Sequence, residues 1–85
     1  MGALNKNLVR AILEILAEAN GNFTSLEFGR LPDYPPQDVR GYLLVMSEGA
    51  LVKLGEPVDA PREDLYPLKV RITWGGYTWL ESNPQ

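Results

Sequence analysis

Pro36-Gln37-Asp38-Val39-Arg40-Gly41-Tyr42-Leu43-Leu44-Val45-Met46-Ser47-Glu48-Gly49-Ala50-Leu51-Val52-Lys53-Leu54 switches its hydrophobic pattern near the end, and that switch decides the fold. Val39, Tyr42, Leu43 and Met46 recur at i, i+3, i+4 and i+7, the stripe of an amphipathic helix. Pro36 suits the first helical position, whose N–H would find no partner within the helix, and Asp38 in the first turn complements the helix dipole. Gly49 closes the helix, and Leu51-Val52-Lys53-Leu54 reads as a strand. That strand needs a partner. Leu68, Val70 and Ile72 supply it, alternating with Lys69, Arg71 and Thr73 as a half-buried ribbon does. The connection from Gly55 to Tyr66 is rich in proline and long for a hairpin, where roughly two to five residues are usual.

Working outward, Leu4, Leu8, Ala11, Ile12, Ile15 and Ala19 form one stripe of helical period, widened by Val9, Leu13 and Leu16. Asn5 or Asn7 can cap the start of this helix, and Gly21 can take the left-handed backbone that ends it after Asn20. Phe23-Thr24-Ser25-Leu26-Glu27-Phe28 alternates weakly and fits either a short strand or a distorted helix. Leu31-Pro32-Asp33-Tyr34-Pro35-Pro36 is a stiff turn, because residues before proline are driven towards extended geometry. At the other end Thr73 can cap a short helix, Trp74 to Glu81, ahead of the polar Ser82-Asn83-Pro84-Gln85.

With 85 residues the chain suits one domain, residues 1–85, and its 45% hydrophobic content can fill one core and excludes a disordered tail. The absence of Cys and His excludes disulfides, zinc fingers and His- or Cys-based catalysis. Ser25, Ser47 and Ser82 have no histidine and no Ser-x-x-Lys motif. Asp59, Glu63 and Asp64 lack the glycine turn and spaced ligands of a calcium hand, and Gly75-Gly76 is too little for a phosphate loop. The expectation is therefore no enzyme, no cofactor and no metal. No apolar run approaches a membrane span, and the N-terminus carries neither a secretory nor a myristoylation signal, so cytoplasmic residence without a membrane partner is expected.

Helix, short strand or turn, helix, then a two-stranded hairpin and a short last helix is the α+β order of a small winged helix. Glu48-Gly49-Ala50-Leu51-Val52 resembles the junction between recognition helix and wing in such proteins. Arg71-Ile72-Thr73-Trp74-Gly75-Gly76-Tyr77-Thr78-Trp79-Leu80 resembles a family of small phage and prophage proteins. In these a strand runs into Leu-Thr-Trp-Glu-Gly, followed by an aromatic and a leucine on a terminal helix. Leu8-Val9-Arg10-Ala11-Ile12-Leu13 and Leu43-Leu44 fit the same family. The chain departs from it at Gly75, where relatives usually carry an acid, and at Tyr42, where they commonly carry His. The resemblance implies a fold and a phage-like origin, and no settled activity.

The outward side of the second helix presents Gln37, Arg40, Gly41, Leu44, Ser47 and Glu48. A major-groove reader needs Arg, Lys, Asn or Gln at base edges and more cations on phosphates. Here only Gln37 and Arg40 qualify, Gly41 and Leu44 make a smooth apolar spot, and Glu48 would oppose phosphate. The long loop sets Glu56, Asp59, Glu63 and Asp64 against Arg62 alone. Lys53, Lys69 and Arg71 share the outer side of the strands; they could clamp phosphates or an acidic protein, or simply be the polar residues of a wet sheet face.

Trp74, Tyr77 and Trp79 mainly complete the core under this reading. Trp74 and Tyr77 share a helical face and Trp79 points elsewhere, as the exposed aromatic. On the first helix Lys6, Arg10, Glu14 and Glu18 run against the helix dipole, which suits a partner contact or a solvated face.

The net charge of −3 favours a protein partner, of host or phage, over a polyanion. The residues for that contact are Gln37, Arg40, Gly41, Leu44, Glu48, Glu63, Asp64 and Trp79, and inhibition of a host defence complex is a role such a module could fill. The alternative is a DNA-binding regulator, acting as a homodimer through Arg40, Lys53, Lys69 and Arg71.

Overall fold

The computed structural model describes residues 4–84. Asn5 opens α1 (Lys6–Ala17), its side-chain oxygen accepting from the N–H groups of Asn7 and Leu8 at 3.0 and 3.2 Å. Such a cap contributes about 1 kcal/mol. The helix buries Leu8, Val9, Ile12, Leu13 and Leu16, so its inward stripe centres on the residues first read as its widened edge. Leu4 lies ahead of the cap and stays exposed, which removes it from the expected stripe. Glu18, Ala19 and Asn20 donate to carbonyls three residues back, and Asn20 and Gly21 then reverse the chain with φ of 55° and 87°.

Segment 23–30 takes both expected forms in turn. Thr24 and Val70 exchange two backbone hydrogen bonds of 2.9 Å, Glu27 pairs with Leu65, and Phe28–Arg30 is a single 3-10 turn. α2 (Pro36–Glu48) begins with proline as read from the sequence and buries Val39, Leu43 and Met46. Tyr42 accepts the N–H of Asn5 at 2.9 Å, which fastens the start of α1 to the middle of α2. At the end of α2, Leu51 donates to the Met46 carbonyl at 2.9 Å and Ala50 to that of Ser47 at 3.2 Å. This closing pair requires a left-handed residue, and it is Ala50 (φ 62°) and not Gly49 (φ −82°).

β1 (Val52–Pro57) pairs antiparallel with β2 (Leu68–Ile72), Val52 opposite Ile72, Lys53 opposite Arg71 and Leu54 opposite Val70. β1 continues past its expected end at Leu54, with a register slip before Pro57. Thr24 bonds the other edge of β2, so β2 lies between β1 and Thr24, and residues 26 and 27 continue alongside Leu65 and Tyr66. The connection 58–67 folds back on this arrangement. Val58 donates to the Pro67 carbonyl at 3.0 Å, Tyr66 to Leu26 at 2.9 Å, and Asp64 accepts from Phe28 at 2.8 Å. Val58 and Tyr66 are buried, and burial pushes the Tyr66 phenol above its ordinary pKa.

α3 (Trp74–Ser82) starts at Thr73, whose hydroxyl accepts from the Gly76 N–H at 3.2 Å and donates to the Ala50 carbonyl. A Cβ on Gly75 would lie 2.6 Å from the Ala50 carbonyl oxygen, and one on Gly76 would meet the Leu51 carbonyl and, at 2.6 Å, Ile72. The two glycines therefore let α3 close onto the α2–β1 junction, and an acid at position 75 would collide there. This contact fixes the rotation of α3. Gly76 is buried, and Trp79 and Leu80, three and four residues on, pack against the core with Tyr77. The expectation that Trp79 is the exposed aromatic is thus reversed: Trp79 is half-buried and Trp74 is 85% exposed. One apolar cluster joins α1, α2, the hairpin and residues 26–31, and no polar or charged residue is buried among the described residues. The α+β order is consistent with a winged helix.

Candidate functional site

Two exposed surfaces carry the residues singled out from the sequence. The first is the outer side of α2. Leu44 is 54% exposed and Val45 48% exposed, beside an open space at Gly41 where a Cβ would touch nothing. Gly41, Leu44, Val45 and Glu48 follow one another at i, i+3, i+4 and i+7, so they form a single stripe along the helix. Val45 was not among the expected contact residues. Its signal was this same spacing, hidden inside the continuous apolar run Leu43-Leu44-Val45-Met46.

Gln37 and Arg40 are exposed at the start of the helix, but the Arg40 guanidinium lies over the Phe28 ring at 4.8 Å from its centroid. That cation–π contact turns its charge towards the 3-10 turn. Phe28 also links α2 to the acidic loop, because its N–H bonds the Asp64 carbonyl while its ring carries Arg40. Within the loop Arg62 bonds Asp64 at 2.9 Å and reaches Glu27 at 3.4 Å, and Glu63 is exposed. These ion pairs stand in water and contribute little, about 0–1 kcal/mol each. Trp79 does not join this surface, since it packs inward beneath Arg10, whose guanidinium is 5.9 Å from its ring.

The second surface is the outer face of the hairpin. Lys53 and Arg71 sit opposite each other and Lys69 lies two residues from Arg71, all on the side away from buried Val70 and Ile72. Phe23, absent from the expected set, lies across this face. A Cβ on Gly55 would come within 2.6 Å of its ring, so the missing side chain at position 55 is what admits the phenyl group. Phe23 stays 44% exposed, with the Arg71 guanidinium 5.7 Å from the centroid of its ring. Phe23, Lys53, Leu54, Gly55, Glu56 and Lys69 line a shallow depression of about 360 Å³. Lys69 also faces the exposed Asp59 carboxylate at 3.9 Å. Arg40, grouped with these cations in the DNA reading, is engaged instead with Phe28.

Two members of the charged strip of α1, Arg10 and Glu18, are used within the fold, while Lys6 and Glu14 are exposed. Arg10 donates to the Asn83 carbonyl at the end of α3, and Glu18 accepts two bonds of 2.9 Å from Arg30. Among the described residues no group of three or more acidic side chains is placed to hold a metal, and no helix is long and apolar enough to cross a membrane. Comparison of the chain with protein-family models, with curated proteins and with solved structures finds no match.

Proposed function

We propose that this chain is a non-catalytic interaction module that docks a protein partner on the outer stripe of α2. The observation that carries the reading is the exposure of Leu44 and Val45 beside Gly41, on a helix whose one arginine is drawn over Phe28. Burying such side chains against a partner yields roughly 25 cal/mol for each Å² of apolar surface removed from water. A duplex would gain little there. Only Gln37 and Arg40 could reach bases, Glu48 would face phosphate, and the whole chain is at −3. The acidic loop, joined to α2 through Phe28, extends the surface with Glu63 and Asp64 and favours a partner with a basic rim. The resemblance to phage proteins implies a phage-like origin, so the partner is a host or phage protein. The acidic balance and the neutral face of α2 support interference with a host defence complex as its role.

The test is photo-crosslinking from position 44 in a host lysate, with position 14 on exposed α1 as the comparison site. A discrete adduct from position 44 alone is expected. Excess unlabelled protein should compete it away, and Leu44→Glu protein, folded by circular dichroism, should not. Equal adducts from both sites, or submicromolar duplex binding with a steep salt dependence, would overturn the reading.

A further inference from the structure

Phe23 lies apart from the α2 docking surface, on the outer face of the hairpin. A large aromatic ring has been placed on the outer face of a small sheet, at the position where β1 gives up its side chain to receive it. Covering a strand glycine in this way stabilises the sheet, yet Phe23 remains an exposed residue, with the Arg71 guanidinium over its ring. Three of the eight Lys and Arg side chains in the chain surround it, from two adjacent strands. Lys69 and Arg71 stand about 6.8 Å apart along β2, since a strand rises roughly 3.4 Å per residue.

We infer that this face binds short single-stranded nucleic acid, a base stacking on Phe23 while neighbouring phosphates contact Lys53, Lys69 and Arg71. An aromatic platform beside a few cations is the combination such binding uses, and it tolerates any sequence because every base has a π-face. The surrounding charges argue for a single strand over a duplex. Glu56 lines the depression, Asp59 sits by Lys69, and Glu63 and Asp64 follow in the same connection. A stiff duplex would bring its fixed rows of phosphates over these carboxylates. A flexible strand can set two or three phosphates on the cations and turn away. An acidic peptide would use the same cations but gain nothing from an open ring beyond ordinary apolar contact.

The experiment is fluorescence anisotropy of a short labelled oligothymidylate with the full chain at low salt, beside a duplex of equal length and with polyglutamate as competitor. Expected is a dissociation constant of roughly 1–100 micromolar and a log–log salt slope near −2, the value for about three phosphates on a single strand. Phe23→Ala should weaken binding about tenfold, as loss of one stacked base does. Lys53→Gln and Arg71→Gln should each flatten the slope by about 0.7, and Glu56→Gln should tighten binding two- to threefold, on the order of one removed repulsion near the surface. Glu56→Gln and Lys53→Gln alter exposed positions, so their effects are read on folded protein even where Phe23→Ala loosens the sheet. No binding to the single strand, equal or tighter binding to the duplex, competition by polyglutamate charge for charge, or indifference of folded Phe23→Ala protein would each overturn the inference.

Discussion

Ala50 ends α2 with φ of 62°, a backbone conformation that costs a residue bearing Cβ roughly 1–2 kcal/mol. It is held there by the two hydrogen bonds that close the helix onto Met46 and Ser47, and by the Thr73 hydroxyl on its carbonyl. The neighbouring Gly49, with φ of −82°, needs none of glycine's freedom. Ala50→Gly should therefore raise stability by about 0.5–1 kcal/mol, the strain relieved less the roughly 0.4–1 kcal/mol of added freedom in the unfolded chain. For a domain of this size that is a rise in melting temperature of roughly 2–8 °C, read by circular dichroism. A second residue makes stability depend on alkaline pH. Tyr66 is buried and its phenol is raised, so the native state holds this proton more tightly than the unfolded chain does. Its contribution is whole below the ordinary tyrosine value of about 10 and is lost as pH rises through the raised value. Urea unfolding of wild type and Tyr66→Phe at about pH 8 and about pH 11 should show the smaller alkaline loss in the variant.

At the scale of elements, what the sequence revealed depended on how local the cause was. α1 and α2 carry their own helical period and their own start signals, so Asn5, one of the two caps the sequence offers, opens α1 and Pro36 opens α2. Their ends differ from the reading: α1 stops at Ala17, short of the expected Asn20, and Ala50 and not Gly49 closes α2. The reach of β1 was hidden because Gly55 and Pro57 read as breakers. They belong to a strand since Phe23 covers the glycine, and since β1 is an edge strand, where a proline withholds no needed donor. The first of these depends on Thr24 bonding Val70 of β2, a pairing between segments far apart in sequence that brings Phe23 over the hairpin. The rotation of α3 is not legible in the sequence for a related reason. Its apolar residues lie on nearly every side, and the face that turns inward is chosen by the contact of Gly76 with Leu51 and Ile72. The same division runs through the two surfaces. Alternation along the strands sufficed to place Lys53, Lys69 and Arg71 outward together, and helical spacing placed Leu44. Phe23 and the turning of Arg40 onto Phe28 are set by neighbours that no local pattern names.

The whole molecule stands on one small core, and α3 is the element whose removal tests that most directly. A chain of 85 residues is stabilised by roughly 4–13 kcal/mol in total. Two paired strands and a bridge are not stable alone, so the sheet depends on the helices that cover it. α3 brings Tyr77, Trp79 and Leu80 onto the core and holds α1 through Arg10 and the Asn83 carbonyl. Its loss would also uncover Ile72 and Leu13, both buried and both adjoining Gly76. Exposure on that scale is on the order of 5 kcal/mol, comparable with the stability available. A chain ending at Thr73 should therefore show no cooperative thermal transition by circular dichroism. The two tryptophans divide the effect. Trp79→Ala should cost about 2–3 kcal/mol, below the roughly 3–5 of a fully buried site, whereas Trp74→Ala should stay within about 0.5 kcal/mol. In a Trp74→Phe background, Trp79 becomes the sole indole reporter of the core, and its emission should shift at the same urea concentration as the loss of helix. A cooperative transition in the shortened chain, or a Trp79 signal that changes before the helices melt, would mean that α3 is an appendage and that the core closes without it.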